Sequence, residues 1–302
     1  MLHFLPPPLL GSIATLVMVL NILFWTIPLL IIGLAKLIIP IPAWRYLCVQ
    51  WITSLISAWM VINNFFIWLL FKTEWDVSGL DGLIVDNCYL ISVNHQTWLD
   101  IPVLVRVFDR RIPFPRFFLK QELIWIPVVG FVCWVLDMPF MKRYSREFLE
   151  QHPELRGKDL ETTRKAVEKY KDTPVTILSF LEGTRFTPTK HERQKSPYRH
   201  LLLPKAGGIA FVLSAMGERF DAMLDVTIVY PGIRPSFWQF LSGQVPRIVV
   251  RVRPVDIPQE FLHGDYLNDP IFRGQFQTWI RALWHDKDAL IKQIWQEVGD
   301  RI

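Results

Sequence analysis

The sequence predicts an α/β domain with a mixed sheet flanked by helices, preceded by an N-terminal hydrophobic helical hairpin. Two observations lead to this fold class. Two long apolar stretches fill most of the first 72 residues, and from residue 73 onward short apolar runs alternate with amphipathic ones. We therefore assign residues 1–72 to the hairpin and residues 73–302 to a single domain, because the second part has ordinary domain length and no internal repeat.

The hairpin is predicted from length and composition. Residues 9–39 are almost continuously apolar, with interruptions at Asn21, Pro28 and Lys36, and residues 46–71 carry no charge. Each stretch is long enough to span a bilayer, so the pair either crosses the membrane or enters a single leaflet. A secretory signal peptide is not expected, since the first stretch has no basic region before it and no small-residue cleavage site.

Composition narrows the class of protein. The chain is 51% hydrophobic and 14% aromatic, which is more apolar than an ordinary soluble domain, so part of it is expected to meet lipid. A net charge of +5 favours anionic headgroups or substrates. Nucleic acid is not expected as a partner, because no Lys/Arg stripe or reader motif accompanies the charge. The three cysteines lack the spacing of a disulfide framework or a zinc site, and no metal is expected.

Hydrophobic periodicity and turn residues predict the elements of the domain. Strands are expected at residues 74–77, 89–93, 175–181, 225–230 and 247–252, and helices at 98–108, 158–171, 205–216, 271–285 and 289–298. Residues 187–197 are polar with a proline near each end, which predicts an exposed loop that either simply connects its neighbours or acts as a lid.

Asn94, His95 and Asp100 lie in the polar turn after the strand at 89–93. The carboxyl end of a strand is where an α/β sheet usually carries its chemistry. A neutral imidazole can take a proton from a hydroxyl, while a carboxylate fixes its tautomer and stabilises the cation that forms. A spacing of five is not a same-face spacing on a helix, so pairing requires a bend that turns His95 back toward Asp100.

A second polar turn follows the strand at 175–181. Gly183 allows a ligand to approach the backbone, and the planar guanidinium of Arg185 suits phosphate oxygens. The alternative is a plain turn with a surface ion pair between Glu182 and Arg185.

Further cations occur in apolar surroundings. Lys120 lies within an apolar stretch, so its ammonium is expected to meet either a carboxylate or an anionic ligand. Residues 141–146 add cations, and Lys205 opens a predicted helix whose amino end favours an anion; either set could instead be a solvated face. Pro231 and Gly232 end the strand at 225–230, which either lines a cleft or simply stops there.

Taken in order, these motifs resemble four blocks of the membrane-associated glycerolipid acyltransferases of the lysophosphatidic acid acyltransferase (1-acyl-sn-glycerol-3-phosphate acyltransferase, PlsC-like) type. The first block, N-H-x-x-x-x-D, matches Asn94, His95 and Asp100. The second, a basic residue followed by Pro-x-x-Gly, matches Lys120, Pro127 and Gly130.

The third and fourth blocks extend the resemblance over about residues 75–235. The third, F-P-E-G-T-R, matches Phe180, Glu182, Gly183, Thr184 and Arg185, with Leu181 in place of the family's proline. The fourth, an apolar strand ending in proline, matches residues 226–231.

The resemblance implies a reaction and a role for each matched residue. His95 is the base that deprotonates an acceptor hydroxyl, which attacks the thioester of acyl-CoA or acyl carrier protein directly, and Asp100 orients it. Arg185, with Lys120, holds the acceptor's phosphate. The remaining substrate-binding residues, which shape the glycerol-phosphate pocket, are Glu182, Gly183 and Thr184. No cofactor beyond the acyl donor is expected.

The acceptor is expected to be 1-acylglycerol 3-phosphate, giving phosphatidic acid; another lysophospholipid such as lysophosphatidylglycerol, or glycerol 3-phosphate, is the alternative. Residues 137–146 and 158–164 resemble the bacterial YihG-like branch. More basic residues follow the second apolar stretch than lie at the hairpin tip, which favours a cytoplasmic domain. The resemblance to the bacterial branch implies that the membrane is a bacterial inner membrane.

Other classes of protein remain as alternatives. A non-catalytic, membrane-anchored lipid-binding protein is possible if Leu181 has spoiled the third block. A hydrolase is disfavoured because the sequence has no G-x-S-x-G elbow, and a metal enzyme because no histidine lies in an H-E-x-x-H pattern.

Overall fold

The computed structural model describes residues 2, 4–39, 41–126, 129–141, 161, 163–165, 168, 170 and 173–299. The cationic run at 142–146, Pro127 and most of the predicted helix at 158–171 lie outside these residues. The same holds for most of the two segments that resemble the YihG-like branch.

Two long helices form the N-terminal hairpin: α1 (Pro7–Ile38) and α2 (Pro42–Leu70). Asn21 Nδ2 of α1 donates to Asn63 Oδ1 of α2 at 3.1 Å, which pairs the two amides between the helices. Both helices are long and apolar enough to cross a membrane by length and composition, and in each the most apolar window is only 11% buried. The division into two domains at residue 72 stays a prediction.

Eight strands follow the hairpin in the part of the chain that the structure describes. In chain order they are β1 (Glu74–Ser78), β2 (Tyr89–Val93), β3 (Pro115–Phe117), β4 (Leu119–Lys120), β5 (Phe140–Met141), β6 (Thr176–Phe180), β7 (Ala222–Val229) and β8 (Arg247–Val255). Six of them form one sheet in the order β1-β8-β7-β2-β6-β3, and β4 pairs with β5 separately. Strands β7, β2, β6 and β3 are parallel, whereas β8 runs antiparallel to β7, so the predicted mixed sheet is confirmed.

Helices cover both faces of the sheet. In the described residues the helices after the hairpin are α3 (Asp100–Phe108), α4 (Val129–Val135), α5 (Pro188–Gln194), α6 (Ala206–Met216), α7 (Phe237–Leu241) and α8 (Pro270–Gly299). Of these, α3, α6, α7 and α8 pack on the sheet, whereas α4 packs on α1. Successive side chains of a strand point to opposite faces. In β2, Leu90 accordingly joins the core formed with α6 and α8, while Ile91 joins the core formed with α3 and α7. Both faces are therefore buried, and chemistry is left to the strand ends.

Two predicted elements differ in the structure. The two C-terminal helices predicted at 271–285 and 289–298 are the single helix α8, because the polar residues between them include no helix breaker. Lys287 of that segment is fully buried, pairing with Asp225 at 2.8 Å and donating to the backbone oxygen of Val226 at 2.5 Å. A charged residue that sequence alone would place at the surface thus anchors α8 to β7.

The predicted exposed loop at 187–197 is wrong in part, since it contains the short helix α5. Thr187 caps this helix by accepting a hydrogen bond from Lys190 N, and Lys195 ends it in a left-handed conformation. Strands β3, β4 and β5 and helix α4 were not predicted, because they are too short for periodicity to detect.

The parallel strands set the position of the site. Val93 at the end of β2 is in register with Phe180 at the end of β6 and with Val226 in β7. The turns that leave β2 and β6 therefore emerge side by side at one edge of the sheet, next to the residue that follows β7.

Candidate functional site

The imidazole of His95 contacts the carboxylate of Asp100. Nδ1 of His95 lies 2.8 Å from Oδ2 of Asp100, and the side chains are 13% and 0% exposed. The bend that the spacing requires is made by the backbone between them, where Gln96 N and Thr97 N donate to the same Oδ2 at 2.6 and 2.9 Å. Asp100 is the first residue of α3, so its carboxylate also lies at the positive end of that helix.

Asp100 has a further partner from β7, the strand that pairs with β2. The hydroxyl of Tyr230, the residue directly after β7, donates to Oδ1 at 2.8 Å. Burial, together with the neighbouring Asp100 charge, raises the pKa of Tyr230 well above its ordinary value, so it stays a donor. Because both carboxylate oxygens accept, this contact favours the tautomer of the neutral imidazole that carries its proton on Nδ1 and its lone pair on Nε2.

The ring plane of His95 is fixed by an aromatic neighbour. Phe180 stacks on the imidazole with ring centroids 4.0 Å apart and an interplanar angle of 26°. The backbone oxygen of His95 accepts a hydrogen bond from Phe186 N at 2.8 Å, which ties the two turns together. The imidazole is therefore held by its backbone, its face and its Nδ1 before any substrate arrives.

Glu182 is buried behind the His95 turn. Oε1 accepts from His95 N at 3.0 Å and Oε2 accepts from Leu202 N at 3.2 Å, and the residue is 0% exposed. Burial raises the pKa of Glu182 to about 8; the two backbone hydrogen bonds oppose this rise and the nearby Asp100 charge adds to it. The surface ion pair with Arg185 considered as an alternative is wrong. The predicted substrate-binding role of Glu182 stays a prediction, and any influence on a substrate would pass through the His95 turn.

Asn94 joins the ends of two strands. Its side-chain amide donates to the backbone oxygen of Ile228 at 2.9 Å and accepts from Ile228 N at 2.9 Å. Both polar atoms of the amide are thus used for structure, in a residue that is 0% exposed.

Gly183 and Thr184 continue the turn after β6. Gly183 has φ +66, a left-handed conformation that favours glycine, and an added β-carbon would lie 3.0 Å from Lys205 Cδ. Thr184 Oγ1 accepts a hydrogen bond from Lys190 Nζ at 2.7 Å, and the same ammonium donates to the backbone oxygen of Arg185 at 3.0 Å. Lys190, which belongs to α5, therefore stiffens the turn that carries Arg185.

The guanidinium of Arg185 stacks on Trp98, which lies in the turn between His95 and Asp100. Its Cζ is 4.4 Å from the ring centroid, and Trp98 is 58% exposed. Within the described parts of the chain, no carboxylate lies at ion-pair distance from Arg185. A guanidinium held by an aromatic face can still present its N–H groups to an anion.

Lys120 forms β4 with Leu119, and β4 pairs with β5 through Lys120 and Met141. Its side chain lies outside the described structure, so its predicted phosphate contact stays a prediction. Among the residues that the structure describes, no group of three or more His, Cys, Asp or Glu could hold a metal ion.

Several residues of the site were not assigned a role from sequence. Tyr230 follows β7, which is distant in sequence from the His95 turn. Lys190 lies in α5, a helix too short to be predicted. Arg234 lies with its Cζ 4.0 Å over the ring of Phe186; burial lowers its pKa, while the Glu182 charge opposes that shift. The only sequence signal for Arg234 is its place shortly after a strand end.

The fold and the site together define a member of the Acyltransferase family. Residues 74–230 match that family, which is about half of the chain, so this chain belongs to it.

Particular relatives carry more specific names. The chain is 26% identical over 191 residues to human 1-acyl-sn-glycerol-3-phosphate acyltransferase gamma, covering 60% of this chain and 45% of that protein. It is 23% identical over 225 residues to mouse 1-acyl-sn-glycerol-3-phosphate acyltransferase epsilon, covering 66% and 55%. The chain thus spans about half the length of these curated relatives.

A solved structure shares the fold. The crystal structure of the 1-acyl-sn-glycerophosphate (LPA) acyltransferase PlsC from Thermotoga maritima superposes with a TM-score of 0.53 at 17% identity, covering 92% of this chain and 95% of that chain. At this identity the likeness concerns the fold alone.

Replacing Glu182 by glutamine should change how stability depends on pH. The pKa is raised from 4.5 to about 8 in the folded chain, so between these values the folded state binds more protons than the unfolded state, and stability falls as pH rises. The side-chain amide of glutamine does not titrate. Its NH2 group would also face one of the two backbone N–H groups that donate to Glu182, so one hydrogen bond is lost. We expect a lower melting temperature for Glu182→Gln at pH 5 and a smaller difference from wild type at pH 8, measured in detergent.

The exposed Glu260 provides the matched control for this experiment. Glu260→Gln should follow the wild-type curve at every pH. Parallel curves for Glu182→Gln and wild type would show that Glu182 does not couple stability to pH in this window.

Proposed function

We propose that this protein is a membrane-bound O-acyltransferase. It moves a fatty acyl group from acyl-CoA or acyl carrier protein to the free hydroxyl of a lysophospholipid, with 1-acylglycerol 3-phosphate as acceptor and phosphatidic acid as product. The observation that carries the proposal is the 2.8 Å contact between His95 Nδ1 and the buried Asp100 carboxylate, which leaves Nε2 as the proton acceptor.

The proposed reaction needs one base and no covalent enzyme intermediate. Nε2 of His95 takes the proton of the acceptor hydroxyl as its oxygen attacks the thioester carbonyl. Asp100 stabilises the imidazolium that forms. When the tetrahedral intermediate collapses, the carbon–sulfur bond breaks and the thiolate takes the proton back from His95. The products are an ester and a free thiol, and no cofactor beyond the acyl donor is needed.

Arg185 is the proposed phosphate ligand of the acceptor. Its guanidinium stacks on Trp98, so it lies beside the turn that holds the base. A planar fork binds phosphate oxygens in a bidentate way, and Lys120 is proposed to add a second cation. Gly183 and Thr184 would form the backbone around the glycerol phosphate, and Glu182 would act by holding the His95 turn.

Leu181 bears on the alternative of a non-catalytic lipid-binding protein. It is 1% exposed, and its backbone oxygen accepts a hydrogen bond from Lys205 N at 2.6 Å. The turn still brings Glu182 to the backbone of His95, so replacement of the family's proline has not displaced the third block. This supports catalysis over binding alone. Lysophosphatidylglycerol or glycerol 3-phosphate remains the alternative acceptor.

The membrane is the proposed location. Its support is the hairpin of α1 and α2, with wide exposed apolar surfaces, together with the membrane lipids that the acceptor class implies. Because more basic residues follow α2 than lie at the hairpin tip, we place the domain in the cytoplasm, at a bacterial inner membrane. Membership of the YihG-like branch is proposed on sequence resemblance alone, and the curated relatives named above are mammalian.

A transfer assay tests the function directly. Purified protein in lipid vesicles is given radiolabelled acyl-CoA, or labelled acyl carrier protein, with lysophosphatidate, lysophosphatidylglycerol or glycerol 3-phosphate. We expect labelled phosphatidic acid, and a loss of roughly 10²–10⁴ in kcat for His95→Ala. His263→Ala removes an exposed histidine and should keep full activity. Label found only in free fatty acid, or near-normal turnover by His95→Ala, would refute the proposal.

Arg185→Lys tests the phosphate ligand, because lysine keeps the charge but loses the planar fork and the stacking on Trp98. We expect KM for lysophosphatidate to rise about tenfold, the equivalent of one charge-assisted hydrogen bond, with a smaller change in kcat. Arg193→Lys, at an exposed arginine of α5, is the control. An unchanged KM and an unchanged kcat/KM in Arg185→Lys would exclude the assignment.

A further inference from the structure

An exposed apolar turn lies between β4 and α4. Its 3-10 helix, Gln121–Trp125, and the next residue present Ile124, Trp125 and Ile126, which are 37%, 84% and 45% exposed. We call these three residues the Trp125 tip. A tryptophan is usually well buried. Leaving it and two isoleucines exposed to water loses much of the free energy that their burial would contribute. Contiguous exposed apolar side chains usually mark a contact surface.

The backbone of the tip is held firmly against the start of α4. Gly130 N donates to the backbone oxygen of Ile126 at 2.8 Å, and Ile126 N donates to Leu123 O at 3.2 Å. A β-carbon at Gly130 would lie 2.1 Å from the backbone oxygen of Ile124, so only glycine permits this close approach. The exposure of the tip is therefore built into the turn by Gly130.

The tip is continuous with the hairpin. Phe131, the residue after Gly130, packs with Val135 directly on α1: a β-carbon at Gly33 would lie 2.8 Å from Phe131 Cζ and 2.6 Å from Val135 Cγ2. Lys36 of α1 pairs with Asp137 at 2.7 Å just beyond α4. The tip thus leads into α4, which packs on the last two turns of α1.

We infer that the Trp125 tip is a membrane contact of the catalytic domain, separate from the hairpin, and that its occupant is the interfacial layer of the bilayer. The inference rests on the proposed membrane location. Three observations support lipid over a protein partner: the connection of the tip through α4 to the hairpin helix α1, the absence of charge from residue 123 to 136, and a tryptophan at the most exposed position. Tryptophan concentrates at the headgroup level of membranes.

The contact has a consequence for the acceptor. Lys120 in β4 comes directly before the turn that ends in the tip. Insertion of the tip would hold this segment at headgroup depth, where the phosphate of a lysophospholipid lies. The tip would then help the protein to bind the acceptor from the bilayer and would have no effect on the chemical step.

Kinetics with a membrane-bound and a water-soluble lysophosphatidate test whether the tip helps to bind the acceptor from the bilayer. Trp125→Ser should raise the apparent KM for long-chain lysophosphatidate in vesicles about tenfold, since a large part of one side chain's transfer energy is lost. For a short-chain, water-soluble lysophosphatidate, kcat and KM should not change. Ile271→Ser is the matched control, because Ile271 is 73% exposed at the start of α8. An unchanged KM in vesicles, or equal impairment with both acceptors, would overturn the inference.

A depth measurement separates this inference from the proposed function. Trp125→Cys and Ile271→Cys are labelled with an environment-sensitive fluorophore. The wild-type chain, treated in the same way, gives the background signal from the native, partly exposed Cys133. We expect blue-shifted emission at position 125 in vesicles, quenched by nitroxide lipids, and water-like emission at position 271. Water-like emission at 125, or shielding that occurs without vesicles and so reflects a protein contact, would refute it. A shielded label on a protein without transferase activity would refute the function and keep the membrane contact.

Discussion

The contact between the imidazole of His95 and the carboxylate of Asp100 is the interaction on which the rest of the site depends. A buried carboxylate is costly unless its lone pairs are satisfied, and here four donors satisfy them: the imidazole, two backbone amides and the hydroxyl of Tyr230. With those partners the carboxylate has one orientation and the imidazole one tautomer. In the proposed mechanism, the free Nε2 can then act as a base without any rearrangement when substrate binds.

Side chains at three strand ends, those of β2, β6 and β7, hold the two turns in place. The side-chain amide of Asn94 both donates to and accepts from the backbone of Ile228, Glu182 accepts from the backbone of His95, and Tyr230 reaches Asp100 from the end of the neighbouring strand β7. Each of these groups is buried, so little of the geometry depends on solvent-exposed side chains. Arg185 differs, because it is held by the face of Trp98 and keeps its N–H edges for a ligand. The site is therefore rigid around the proposed base, His95, and open around the proposed phosphate ligand, Arg185.

The sequence predicts the parts of this arrangement that are local. A polar turn after an apolar strand marks His95 and Asp100, and the bend between them follows from a spacing of five; the mixed sheet follows from alternating apolar runs. Partners that depend on strand register, such as Tyr230 at 130 residues from Asp100, leave no local signal. Nor could the burial of Lys287 be predicted, because its compensation by Asp225 exists only once α8 packs on β7. The contact of Lys120 with the acceptor's phosphate stays a prediction.

The central claim is that Asp100 sets the tautomer of His95 for proton abstraction. Asp100→Asn tests it most directly. Gln96 N, Thr97 N and the imidazole all meet Oδ2, so the amide would place its oxygen there and keep the shape of the site, while it removes the negative charge that holds the ring proton on Nδ1 and stabilises the imidazolium. We predict that kcat for acyl transfer to lysophosphatidate falls by at least about 10²-fold with KM nearly unchanged, in a protein that unfolds at a temperature close to wild type. Turnover by Asp100→Asn within a few-fold of wild type would contradict the account.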